Sequence, residues 1–155
     1  MVLLFWLVVI IILYVYIGYP VLIRILSCWR RQRKPAKEFF PQVTLIIAAH
    51  NEEDVIREKI ENVLFQDYPR DKLQIIISSD ASIDMTNEII KSYSDKGVEL
   101  YDQKEHQGKS AALNYVVENM AKGEIIVFND ATTVLERDSI RKIVPYFSDS
   151  NIGAV

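Results

Sequence analysis

Residues 43–56, VTLIIAAHNEEDVI, decide how the rest of the chain is read. Residues 43–48 are short, apolar and rich in β-branched side chains, the pattern of a strand buried on both faces. Asn51 then offers an N-cap, and Glu52, Glu53 and Asp54 fill a first turn, where acids complement the helix dipole. Ile56, Ile60, Val63 and Leu64 recur at helical spacing, so residues 52–66 are predicted as an amphipathic helix, broken by Asp67-Tyr68-Pro69. A doubly buried strand handed straight to an amphipathic helix is a βα unit.

Toward the C-terminus the unit recurs. Residues 73–78 (LQIIIS) are a second strand, and Asp84 can cap a helix carrying Ile89, Ile90 and Tyr93. Gly97 ends that helix before a weaker strand at 98–101. Residues 109–121 form a helix with Leu113, Val116, Val117 and Met120 on one face, and Gly123 stands where a C-terminal cap belongs. Residues 124–128 (EIIVF) are a fourth strand; residues 137–147 are helical until Pro145 bends or stops them. This alternation predicts an α/β fold, a mostly parallel sheet with helices on both faces. No repeat or low-complexity segment interrupts it.

Toward the N-terminus the composition changes. Residues 2–23 carry no charge and as a helix would span roughly 33 Å, enough for a hydrocarbon core of about 30 Å. Trp6, Tyr14, Tyr16, Tyr19 and Trp29 are interfacial anchor candidates, and Pro20 is placed to kink the helix. A cleaved signal peptide fits poorly: there is no positive n-region, the run is too long, and no A-x-A-like site follows. The expected organisation is a transmembrane helix over 1–26, a basic juxtamembrane linker over 27–41 and a globular part over 42–155. The cluster CWRRQRK would hold the C-terminal side in the cytoplasm and leave the N-terminus outside, in a plasma (inner) membrane.

Charge excludes one class of partner. Residues 1–41 hold six basic residues against Glu38, a net of +5; with a total of −3, residues 42–155 carry −8. An acidic body without a basic stripe is not a nucleic-acid binder. Cys28 is alone, so an internal disulfide and a multi-cysteine metal site are both excluded.

In open α/β sheets ligands bind beyond the carboxyl ends of the strands. After the predicted strands come Ala49-His50-Asn51-Glu52, Ser79-Asp80-Ala81-Ser82, Asp102 leading to His106-Gln107-Gly108-Lys109, and Asn129-Asp130-Ala131-Thr132. Such an edge suits a nucleoside diphosphate held through a divalent metal, Mg²⁺ or Mn²⁺. Asp130 is placed for the metal, Asp80 to accept a hydrogen bond from a base imide N–H, and Lys109 with its helix start to meet phosphate. The plainer readings are turn or helix caps for Asp130 and Asp84 and a solvated helix end for Lys109. His50 and His106 have no further ligand, so zinc is not expected. Gly108-Lys109-Ser110 mimics the end of a P-loop, but Gln103 occupies the position of its first glycine.

Four stretches in order resemble family-2 glycosyltransferases of the GT-A fold, membrane-bound synthases related to cellulose, chitin, hyaluronan and poly-N-acetylglucosamine synthases. They are VTLIIAAHNEEDVI, NVLFQDYPRDKLQIIISSDASIDMT, GKSAALN and GEIIVFNDATTVLERDSI, and from first to last they span most of residues 42–155. The resemblance implies that Ala49, Asn51 and Glu52 line the nucleoside pocket, that Asp80 contacts uracil, that Lys109 lies near the donor, and that Asp130 binds metal and diphosphate. Thr132 stands where the family has the second acid of its D-x-D motif, and Ala81 where it usually has glycine.

The implied activity is inverting transfer from a UDP-sugar to a glycan or lipid acceptor. The family's acceptor site, base aspartate and Q-x-x-R-W segment would lie beyond Val155. The expectation is therefore a donor-binding fragment, or a split subunit with a partner, inactive alone. The alternative is a non-catalytic membrane subunit or nucleotide-binding module of the same fold.

Overall fold

The computed structural model describes residues 1–28 and 39–155. Trp29, the basic cluster and most of the expected linker lie outside the described residues. The chain divides into two units, residues 1–34 and 35–155.

In the first unit α1 (Val2–Leu13) runs through a π-helical turn (Tyr14–Gly18) into α2 (Tyr19–Cys28). The expected proline kink takes the form of this turn. Pro20 has no N–H to give and would crowd the carbonyl four residues back; widening the preceding turn, where the Tyr19 amide donates to Tyr14 O, makes room. None of its side chains is buried. These 27 residues form the one helix, among the described residues, long and apolar enough to cross a membrane.

In the second unit β1 (Val43–Ala49), β2 (Leu73–Asp80), β3 (Val98–Gln103) and β4 (Ile125–Asp130) form a parallel sheet in the order β3-β2-β1-β4. The chain winds outward from β1 through α3 (Ile56–Leu64) and α4 (Thr86–Lys91), then returns through α5 (Lys109–Asn119) to place β4 on the other side of β1. Crossovers of one hand put α3 and α4 on one face and α5 on the other once the direction reverses. Leu45, Ile47, Ile75 and Ile77 pack with Ile56, Ile60, Val63 and Ile90. Ile46 and Ile76 point the other way, onto Val116 flanked by Leu113, Val117 and Met120, the predicted face of α5. The sheet edge between β1 and β4 is thus a topological switch point, where open α/β sheets bind ligands.

Three local expectations change. α3 begins at Ile56, with residues 53–55 in a turn, and Asn51 is no N-cap: it sits at φ 54°, in the left-handed region. Gly123 is not a left-handed cap, because α5 ends at Asn119 and only Gly97 and Gly108 among the glycines have positive φ. Its need for no side chain comes from β1: a Cβ there would lie 2.4 Å from Thr44 N and 2.6 Å from Val43 C. The Gly123 amide donates to Thr44 Oγ1 (2.9 Å), which itself donates to Gln74 Oε1 (2.8 Å), pinning the α5–β4 turn beneath the sheet. Finally, the helix expected over 137–147 is α6 (Ser139–Ile143) followed by a 3₁₀ turn (Val144–Ser148), the change falling one residue before Pro145.

Candidate donor-nucleotide site

A cleft of about 250 Å³ opens at the switch point. Ala48, Ala49, His50 and Glu52 come from β1 and the loop after it, Ser78 and Asp80 from β2, Lys109 and Ala112 from α5, and Asp130, Ala131 and Thr132 from β4 and its loop. Of the candidates read from sequence, Ala49, Glu52, Asp80, Lys109, Asp130 and Thr132 line this one space, and Asn51 does not.

Asn51 is occupied in bracing the rim. Its Oδ1 accepts from the Ile83 amide (2.9 Å) and its own amide donates to Ser82 Oγ (3.1 Å). The Glu52 amide donates to Thr86 Oγ1 (2.8 Å) and the Glu53 amide to Asp84 Oδ2 (3.1 Å). Asp84 Oδ1 takes the amide of Thr86 (3.0 Å), the first residue of α4, although the N-cap position itself falls on Met85, and Asp84 also clasps the β1 loop. Burial pushes its carboxyl up, but hydrogen bonds from Thr86, Glu53 and its own amide outweigh that and hold it below the usual carboxylate range. Ala81, at φ 53°, takes a backbone that suits glycine better.

Asp80, 5% exposed at the end of β2, is surrounded by donors. Gln103 Nε2 (2.5 Å) and the Gln107 amide (3.3 Å) donate to Oδ1, and His106 Nδ1 faces Oδ2 at 2.9 Å. His50 Nδ1 lies 2.6 Å from the Asp80 carbonyl oxygen, so it carries the hydrogen, and its Nε2 is left to accept from Asn51 Nδ2 (3.2 Å). That assigns His50 the neutral Nδ1–H form. Across the cleft, Lys109 Nζ donates to Asp130 Oδ1 in an ion pair whose side chains are both more than half exposed. Thr132 is exposed beside it.

One residue that matters here went unnoticed in the sequence. Lys59 of α3, 3% exposed, donates from below to Asn129 Oδ1 and to the Thr133 carbonyl, on either side of Asp130. Burial lowers its ammonium pKa to about 8 against the opposing pull of Asp130. The signal was there: Lys59 falls on the apolar stripe of α3, three residues after Ile56 and four before Val63. Among the described residues no cluster of three or more His, Cys, Asp or Glu could hold a metal ion.

Residues 44–155 match the sequence model of Glycosyl transferase family 2. The chain belongs to that family. It is similar to the beta-monoglucosyldiacylglycerol synthase of Synechocystis (35% identity over 120 residues, 75% of this chain and 25% of the relative). It is likewise similar to the poly-beta-1,6-N-acetyl-D-glucosamine synthase of Staphylococcus aureus MSSA476 (32% over 115 residues, 73% of this chain and 27% of the relative).

Among solved structures it resembles the mannosyltransferase PcManGT of Pyrobaculum calidifontis in complex with GDP-Man and Mn²⁺. The TM-score is 0.81 at 30% identity, over 93% of this chain and 44% of that one. S. aureus TarS 1-349 with UDP-GlcNAc shares the fold (TM-score 0.56, 22% identity, 65% of this chain and 29% of that one). The chain thus spans about a quarter of the length of these curated relatives. The α/β architecture read from the strand–helix alternation is the fold of this family-2 glycosyltransferase chain.

Proposed function

We propose that the chain is the donor-binding part of a membrane-anchored hexosyltransferase that takes a UDP-sugar for inverting transfer to a glycan or lipid acceptor. The observation that carries this is the delivery of Asp80, Lys109 and Asp130, from three separate elements, into one cleft at the switch point. Asp80 accepts the imide N–H of the base. The carboxylate already accepts from the Gln103 amide, the Gln107 N–H and His106, which hold it in place and leave one lone pair for the base. Ala49 and Glu52 wall the nucleoside, and Asn51 holds that wall in place.

At the other end Lys109 turns from Asp130 to phosphate, and Asp130 with the Thr132 hydroxyl would hold a divalent ion. Mg²⁺ is commonly bound by one or two carboxylates together with substrate phosphates and water, so one carboxylate and a hydroxyl fit an ion that arrives with the diphosphate. When bound, the ion supplies positive charge to the departing diphosphate. The apolar helix with the basic residues after it would anchor the chain in a plasma (inner) membrane, N-terminus outside and cleft on the cytoplasmic side.

Thr132 favours one second reading, a nucleotide-binding membrane subunit that transfers nothing. Calorimetric titration of the detergent-solubilised chain with UDP, with and without Mn²⁺, tests the proposal. Binding strengthened by Mn²⁺ and preferred over GDP is expected, and no heat at millimolar UDP would refute it. Slow release of sugar from a UDP-sugar without acceptor would exclude the second reading.

A further inference from the structure

We propose that Lys59 is a positioning residue for the Asp130 loop: its buried ammonium ties the Asn129 side chain to the Thr133 main chain and so fixes the residues between them. The inference rests on the donor-site reading above, because it concerns the loop that presents Asp130 and Thr132.

The loop has little else behind it. A second hollow of about 290 Å³ lies on its α3 side, lined by Glu58, Lys59 and Asn62 and by the backs of Ala131 and Thr132, which also line the donor cleft. Ala131 and Thr132 are therefore a wall shared by two hollows, with Ala131 buried against the core and Thr132 exposed. Thr132, Thr133 and Val134 are exposed. Main-chain bonds restrain the wall at two points, from the Ala131 amide to Ala48 O of β1 (3.2 Å) and from the Thr133 amide to Asp130 O (3.2 Å).

α3 supplies the remaining grip from one face. Asn62, three residues after Lys59, donates to Leu135 O (2.9 Å) and accepts from the Leu135 amide (2.9 Å). Lys59 holds the segment at 129 and 133, and Asn62 holds it at 135. An ammonium is an expensive way to fill a buried position on an apolar stripe; a methionine of similar volume would pack there without desolvating a charge. What methionine cannot do is bond two acceptors at once. The same charge attracts Asp130 without bonding to it, so on the cleft side that carboxylate pairs with Lys109 alone.

The test compares the wild-type chain with Lys59→Met, and with Asn129→Ala, which cuts the same tie from the loop end should Lys59→Met fail to fold. Amide hydrogen exchange at Ala131, Thr133 and Leu135 reads the loop without any ligand, and faster exchange there than in β1 is expected in both variants. Titrations with uridine and with UDP plus Mn²⁺ read the site. Uridine affinity should be retained, and the gain conferred by diphosphate and Mn²⁺ should fall about 10–100-fold, the usual effect of losing a residue that orients a metal ligand. Unchanged exchange and unchanged Mn²⁺ gain would overturn the proposal, as would an equal loss for uridine and UDP, which marks a merely structural role. If the wild-type chain binds no UDP, the donor-site reading fails by itself, and the exchange measurement alone then decides whether Lys59 positions the loop.

Discussion

Replacing Asp80 with asparagine puts the uridine assignment at risk most directly. The side chain is 5% exposed and its carboxylate meets Gln103 Nε2, the Gln107 amide and His106 Nδ1. Asparagine keeps the shape, removes the charge and turns one of the two acceptors into a donor facing donors. A hydrogen bond to a charged group is worth about 1.5–3 kcal/mol, so the loss of the one made to the base should weaken UDP binding by about 10- to 150-fold. The remaining oxygen can still take the Gln103 and Gln107 donors, with the new N–H turned toward His106, so the fold should lose only about 1 kcal/mol, the difference between a charged and a neutral hydrogen bond.

Calorimetry at fixed Mn²⁺ measures the first effect and urea unfolding the second. On the proposed reading the carboxylate meets the base and not the phosphates, so uridine and UDP should weaken by the same factor. A folded Asp80→Asn chain that binds UDP within about threefold of wild type, a difference worth under 1 kcal/mol, refutes the reasoning. So does a loss confined to UDP, which would move Asp80 to the phosphate end.

Gly123→Ala should cost about 3 kcal/mol and lower Tm by about 10 °C, because the new Cβ meets the main chain of the central strand, while Gly153→Ala, with nothing within 4 Å, should leave Tm unchanged. Thr132→Asp should restore a second acid beside Asp130 and tighten Mn²⁺-dependent UDP binding by about tenfold, one charged contact's worth, as read by calorimetry or Mn²⁺ resonance. Stability should also bend with pH. Lys59 titrates at about 8 when folded against 10.5 ordinarily, so the unfolded chain holds the extra proton between those values and Lys59 makes stability rise across that window. Tyr68 is raised from 10.0 to about 12, by burial first and by Glu124 second; its contribution is complete below pH 10 and lost as pH rises through 12. Urea midpoints from pH 8 to 12 should therefore climb and then fall, and Lys59→Met should abolish the climb.

The strands were legible because a doubly buried parallel strand is a continuous β-branched run, which needs no partner to be recognised. The face of α5 was legible for the same reason, since Leu113, Val116, Val117 and Met120 mark a helical stripe whatever they pack against. The start of α3 was not. Glu52, Glu53 and Asp54 read as a first helical turn, but the Glu52 and Glu53 amides are claimed by Thr86 and Asp84, more than 30 residues away. Gly123 carried a signal with two meanings, since a left-handed cap and a close backbone approach both demand glycine. Only the position of Thr44 distinguishes them. Lys59 was overlooked because a lysine on a helix is ordinarily solvated; its depth depends on a loop 70 residues later in the chain.

The charges around the cleft constrain what can enter it. Glu52, Asp80 and Asp130 line the space against Lys109, His50 is neutral, and the body as a whole carries −8. A diphosphate adds further negative charge to that wall, and two like charges about 4 Å apart repel by about 4 kcal/mol at an effective dielectric of 20. Lys109 cannot offset this alone, because every turn it makes toward phosphate leaves Asp130 without its partner. Lys59 lies beneath the loop, bonded to Asn129 and Thr133 and unable to reach a ligand. The protein therefore has a cationic deficit at the spot where the anionic end of the donor would sit. On the proposed reading, that deficit suits a site of one carboxylate and a threonine, which needs no affinity for a free cation, only for one that the diphosphate already carries.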